Sequence, residues 1–169
     1  EELVFHLKGP THAYALAEVG RAFQDAATLV NAAVGGPVPP LDGLAVSLSG
    51  QRLAALDADA RLWLGTIAPG ADLVEAAIDP GQSRPAFGRG DDAWVVGPDA
   101  VLRRVDPEGN AIVVSIDGLH PKAQLESIAI SRDGTRAALT IRRGPRTFIM
   151  MAIITVREGA LRIESPVRV

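Results

Sequence analysis

The chain has 169 residues, of which 47% are hydrophobic and 22% charged, with a net charge of −3. Those values fit one folded domain with a real core and exclude a disordered chain, and a mildly negative balance excludes nucleic-acid binding through bulk positive charge. There is no cysteine, which excludes disulfides, thiolate nucleophiles and Cys-ligated metals.

No apolar run reaches the roughly 18 residues that a membrane helix needs. The longest, Phe148 to Val156, has the length of a strand. No basic n-region or cleavage site opens the chain, so it reads as a mature or trimmed segment.

Residues 1–12 hold a strand candidate, Leu3 to Leu7, stopped by Gly9-Pro10. Residues 13–34 are ambiguous. Leu16, Val19, Phe23, Ala27 and Val30 recur at helical spacing, yet Gly20 interrupts them, and Ala13–Ala17 and Thr28–Val30 also read as strands. Gly35-Gly-Pro-Val-Pro-Pro40 is a loop. The pattern is regular from there on. Strands are expected at 44–48, 52–56, 61–67 and 72–77, then at 84–87, 93–96, 100–105 and 111–116. A third set is expected at 126–131, 135–142, 146–156 and 160–167. Turn residues such as Ser49-Gly50, Gly97-Pro-Asp99, Asp106-Pro-Glu-Gly109 and Asp133-Gly134 separate them.

Two of these turns sit in matching surroundings. Val46-Ser-Leu-Ser-Gly-Gln-Arg-Leu-Ala-Ala-Leu56 aligns with Ile130-Ser-Arg-Asp-Gly-Thr-Arg-Ala-Ala-Leu139, and Gly50 and Gly134 lie 84 residues apart. A weaker copy, Arg84 to Val96, falls halfway, so the repeat is about 42 residues, a period characteristic of propellers. The expected fold is all-β: a β-propeller or partial propeller of about four blades, each a four-stranded antiparallel unit, within one domain. The approximate blades are 1–42, 43–83, 84–125 and 126–169. The alternative is a β-sandwich-like all-β fold with an N-terminal helix. An open arc of a larger ring would expose an apolar blade face and self-associate.

Pro85 to Val96, followed by Ile130-Ser-Arg-Asp-Gly-Thr-Arg-Ala-Ala-Leu139, resembles the β-propeller domain of the actinobacterial LpqB-type lipoproteins. Leu44 to Leu56, the hairpin Arg61-Leu-Trp-Leu-Gly65 and the loop Pro37-Val-Pro-Pro40 agree with it. The resemblance spans about residues 13–165. It implies strands at Tyr14–Leu16 and Gly20–Phe23. The middle copy departs from the pattern, with Phe87-Gly88 in place of an aromatic–acidic pair and Gly90-Asp91 in reversed order. The resemblance also implies a lipid anchor upstream of this chain, a place on the outer face of the cell membrane, and contact with the extracytoplasmic domain of a two-component sensor kinase. It carries no catalytic residues.

The residues themselves suggest little chemistry, and neither an enzyme nor a cofactor is expected. His6 and His12 are six apart across Gly9-Pro10, which is not a helix-face metal spacing, and exposed or capping roles suit them and His120 better. Asp57, Asp59, Asp79, Asp91, Asp92, Asp99, Asp106, Asp117 and Asp133 fall in predicted turns and show no twelve-residue calcium-loop pattern. There is no Gly-x-Ser-x-Gly elbow, and Ser47 and Ser131, at equivalent repeat positions, read as hydroxyls that bond their own turns. Arg103-Arg104 and Arg142-Arg143 with Arg146 are basic clusters beside hairpins. They serve either as charges that keep strand edges from pairing or as a surface for an acidic partner or anionic lipid headgroups. The function that follows is a non-catalytic protein-interaction domain. The alternative is a propeller hydrolase or lactonase with a metal in its central channel.

Overall fold

A computed structural model describes residues 2–7, 13–18, 41–67, 72–157 and 159–169. Among the described residues all regular structure is β. A hairpin opens the chain: β1 (Glu2–Leu7) pairs antiparallel with β2 (Ala13–Glu18). Tyr14 to Leu16 therefore form a strand, as the family resemblance implies and against the helical spacing. Gly20–Phe23 lie outside the described residues.

Three sheets follow, each built in chain order from its inner to its outer strand. The first is β3 (Leu41–Val46), β4 (Arg52–Asp57), β5 (Leu62–Thr66) and β6 (Leu73–Glu75). The second is β7 (Ala86–Phe87), β8 (Ala93–Val96), β9 (Leu102–Val105) and β10 (Ala111–Val113). The third is β12 (Gln124–Ile130), β13 (Arg136–Arg143), β14 (Arg146–Arg157) and β15 (Ala160–Arg168). Tight turns with Asp, Gly and Ser join the strands, because those residues offer local hydrogen bonds or tolerate positive φ. Gly50 and Gly134, the two aligned glycines, stand at φ 73° and 71°.

One expectation needs correction. The strand foreseen at 111–116 is two strands. Val114 still donates its N–H to Leu102 O, but β11 (Ser115–Ile116) leaves the second sheet and pairs parallel with β15, opposite Arg162 and Ile163. The Asp117 N–H to Ile163 O and an Arg162–Asp117 ion pair of 3.3 Å complete this clasp on the outer edge of the third sheet. A parallel partner 47 residues away in sequence has no local signature, so the apolar run Ala111 to Ile116 looked continuous.

The sheets stack face to face, and alternation along β8 makes this visible. Ala93 and Val95 point back into a core with Ala54, Leu56, Leu62 and Leu64 of the first sheet. Trp94 and Val96 point forward into a second core with Leu125, Leu139, Ile141 and Ile163 of the third. All four β8 residues are buried, as a strand between two covering sheets must be. This is the blade-on-blade packing of a propeller.

Candidate interaction surface

The turns account for much of the polar chemistry. The Ser47 hydroxyl accepts the Arg52 N–H at 3.1 Å, and the Ser131 hydroxyl accepts the Arg136 N–H at 2.9 Å. The two repeat-equivalent serines do the same structural work. Ser131 also donates to Asp133 Oδ1 at 2.6 Å, and Ser49 occupies the position of Asp133 in the first sheet, 3.0 Å from Ser47 Oγ. Neighbouring turns touch: Ser49 donates to Asp91 Oδ1 at 3.4 Å, 42 residues on.

The aspartates are spent in the same way. Asp57 Oδ1 accepts the N–H groups of Asp59 and Arg61 at 2.9 Å each, and Oδ2 accepts Trp63 Nε1 at 3.0 Å. Burial alone would raise its pKa, but these three hydrogen bonds and the Arg61 charge together lower it. Asp106 repeats the device on the N–H groups of Glu108 and Asn110. Hydrogen bonding from the Asn110 side chain and N–H holds its pKa below the ordinary value. His120 Nδ1 accepts the Lys122 N–H at 3.1 Å within an exposed turn. His6 is in β1, opposite Tyr14, and His12 lies outside the described residues.

The five arginines singled out from the sequence have different fates. Arg103 and Arg104 are adjacent on β9, so their side chains leave opposite faces. The Arg103 guanidinium grips Asp99 with two contacts, 2.8 Å to Oδ1 and 2.6 Å to Oδ2. That grip pulls the Asp99 carboxyl down to about 2 and raises Arg103. Arg103 lines a surface pocket of about 650 Å³ with Glu75, Ala76, Ala77, Ile78 and Asp79. Arg104 turns the other way, to Asp92 at 2.7 Å. Burial, together with the nearby charges of Asp106, Asp91 and Glu108, pushes Asp92 up in spite of Arg104.

Arg142 pairs with Glu126 at 2.8 Å. The two line a second pocket, of about 350 Å³, with Gly97 to Ala100, so Asp99 brings Arg103 and Arg142 to the same end of the stacked sheets. Arg143 and Arg146 flank Gly144-Pro145 at the tip of the β13–β14 hairpin, directly opposite each other in register. Both are exposed, and neither forms an ion pair with a carboxylate among the described residues. Arg142, Arg143 and Arg146 thus share one hairpin tip, Arg103 lies across a pocket from it, and Arg104 belongs to the other end. The Arg104–Asp92 pair spans two strands, so only the register makes it visible.

The tip carries a cost. Like charges directly opposite on adjacent strands disfavour the pairing by a few tenths of a kcal/mol. Three guanidiniums stand there beside one carboxylate, Glu126, which pairs with Arg142.

A family model described as the lipoprotein LpqB beta-propeller domain matches residues 18–169. The chain is 32% identical over 121 residues to lipoprotein LpqB of Mycobacterium tuberculosis (strain CDC 1551 / Oshkosh), covering 63% of this chain and 20% of that protein. Against lipoprotein LpqB of Mycobacterium ulcerans (strain Agy99) it is 33% identical over 105 residues, 58% of this chain and 18% of the relative. Against that of Mycobacterium leprae (strain TN) it is 31% identical over 114 residues, 59% and 19%. The chain spans about a fifth of the length of the curated relatives it matches. With stacked four-stranded sheets, the repeated Ser-turn device and a match across residues 18–169, the chain belongs to the family of the lipoprotein LpqB beta-propeller domain.

Proposed function

We propose that this chain is a non-catalytic protein-interaction domain of a membrane-anchored lipoprotein on the extracytoplasmic side. There it docks on the external domain of a two-component sensor kinase. The observation that carries the reading is membership of a lipoprotein propeller family whose curated members bear the name lipoprotein. Two features of the chain support it. Asp57, Asp99, Asp106 and Asp133 are committed to their own turns or to an arginine, which leaves them poorly suited to acid–base or metal chemistry. The Arg143–Arg146 pair holds like charges together at some cost to the fold, which fits a role outside it.

The test uses the intact lipoprotein and the kinase's external domain. Capture of the kinase domain is expected from wild type and is weakened at least about tenfold by R143E/R146E. Single R146E, which replaces a like pair by an opposite one, is expected to leave the melting temperature unchanged or raise it. Unchanged capture by the double variant removes the hairpin tip from the reading. No capture by wild type at micromolar concentrations removes the kinase. A rise in melting temperature with a divalent cation would instead favour a metal-dependent enzyme.

A further inference from the structure

Three rows of the third sheet share the face that looks toward the second sheet. Leu139, Met150 and Arg168 form one row across β13, β14 and β15. Ile141 and Phe148 form the next, and Arg143 and Arg146 the last, at the hairpin tip. Leu139 and Ile141 are buried in the second core, and Met150 and Phe148 pack against it, so alternation along the strands puts all of these residues on one face. Arg168 leans along that face. Its guanidinium carbon lies over the Phe148 ring, 5.3 Å from the centre. The Phe148 row and the tip row are two residues apart, about 7 Å. Arg143, Arg146 and Arg168 thus gather around one aromatic ring at the end of the sheet.

Arg142 does not belong to this group. Its side chain leaves the opposite face of β13, and Glu126 holds it at 2.8 Å. The carboxylates of Asp99 and Asp117 are likewise engaged, by Arg103 and Arg162. Arg143, Arg146 and Arg168 are exposed, and none of them forms an ion pair with a carboxylate among the described residues. Their charge is left for something outside the sheet. Geometry narrows what that is. A guanidinium lying over a ring has its orientation set while its N–H edge stays free, and that planar fork matches a carboxylate at two points. A layer of anionic headgroups needs only charge, with no fixed direction. The oriented arginine therefore favours a defined acidic group on a protein.

We propose that Arg143, Arg146 and Arg168 form the recognition patch for an acidic segment of a partner protein, one that carries neighbouring carboxylates, with Phe148 as the ring that orients Arg168. The patch rests on the reading of this chain as a protein-interaction domain and adds the chemistry of the partner to it. Arg168, distant in sequence from the hairpin, is part of the surface, whereas Arg142, next to Arg143, is not.

Fluorescence anisotropy of a labelled hexaglutamate peptide, titrated with the 169-residue chain in about 50 mM salt, tests the patch. R146Q and R168Q are each expected to weaken binding about three- to tenfold, and R142Q to leave it within about twofold of wild type. R168K keeps the charge and loses the fork, so it is expected to fall within about twofold of R168Q. F148L keeps an apolar side chain against the core and removes the ring. It is expected to weaken binding at least about twofold with an unchanged circular dichroism spectrum. Vesicles of phosphatidylglycerol and phosphatidylcholine are titrated alongside. Binding to the vesicles without binding to hexaglutamate overturns the proposal in favour of a membrane surface. Equal binding by wild type and R168Q overturns it too, as does a loss in R142Q as large as that in R168Q. The kinase is judged separately: if hexaglutamate binds with the expected arginine dependence and the kinase's external domain is not captured, the patch stands and the kinase is removed as its partner.

Discussion

At the scale of single residues, the turns hold a contradiction that the repeat itself resolves. Ala60 and Ala100 have φ of 57° and 60°, a left-handed conformation that disfavours a Cβ. Each donates its N–H back to the residue three before it, Asp57 O and Gly97 O, and Gly109 donates to Asp106 O in the same way with φ 89°. Three turns share one geometry, and only the last has the residue that suits it. Ala60→Gly and Ala100→Gly are therefore expected to be stabilising or neutral, by up to about 1 kcal/mol, although glycine usually costs stability by loosening the unfolded chain. Urea denaturation would measure this, and a loss of more than about 1 kcal/mol would show the alanine methyl to matter more than the strain. These turns were legible as turns from Asp57, Asp59 and Pro98-Asp99, but not their handedness, because an alanine gives no sign of positive φ. Asp133 offers a second prediction. The Ser131 hydroxyl, then the Thr135 N–H, hold its carboxyl at about 2, below the ordinary 3.8. A carboxyl whose pKa is depressed by folding contributes stability above its unfolded value and loses it as pH falls through the folded one. The Asp133 contribution is thus complete above about pH 4 and fades between about pH 4 and 2. Carboxyl-carbon titration by NMR should place its midpoint near 2 in wild type and closer to 3.8 in Ser131→Ala. A wild-type midpoint near 3.8 would mean that the turn hydrogen bonds do not persist in solution.

Strands and their turns were largely foreseeable, since alternation and turn residues are local signals. The expected 93–96, 135–142 and 146–156 correspond to β8 at Ala93–Val96, β13 at Arg136–Arg143 and β14 at Arg146–Arg157. What escaped was pairing between distant segments. Nothing around Ser115 announces a parallel partner at Arg162, and nothing around Arg104 announces Asp92. The reversed Gly90-Asp91 order places the Asp91 carboxylate 3.4 Å from the Ser49 hydroxyl of the first sheet's turn, while Gly90 has open space around it. Gly88 lies close to Ile130, and an added Cβ at Gly134 would stand 2.9 Å from Arg89 Cβ, so the turns of the second and third sheets pack closely. Gly50 has the same φ class and open space around it. Comparing Gly50→Ala with Gly134→Ala separates the two causes. The first pays the left-handed penalty, about 1 kcal/mol, and the second pays that and a clash against neighbouring backbone, about 1–3 kcal/mol more. Equal losses would mean that the turns of adjacent sheets are free to move apart.

For the molecule as a whole, the two cores raise the question of whether the three sheets unfold together. They share β8: Val95 closes the core with the first sheet, Val96 closes the core with the third, and both are at most 2% exposed. Losing either neighbour would bare one side of that strand at about 25 cal/mol per Å² of apolar surface, so partly stacked states are costly. The two tryptophans report on opposite sides of the arrangement. Trp63 on β5 is tied to Asp57 in the first sheet, while Trp94 on β8 faces the third. Variants with one tryptophan each, Trp63→Phe and Trp94→Phe, allow fluorescence to follow each region through urea unfolding. Each fluorescence transition is expected to coincide with the circular dichroism transition of the same variant. Leu139→Ala, which opens a cavity in the second core, should lower the midpoint sensed by Trp63 as well as that sensed by Trp94, with a loss of about 2–5 kcal/mol. If Leu139→Ala moved the Trp94 transition and left the Trp63 transition in place, the sheets would be independent stacking units, and a partner bound at the Arg143–Arg146 tip would have no rigid path to the first sheet.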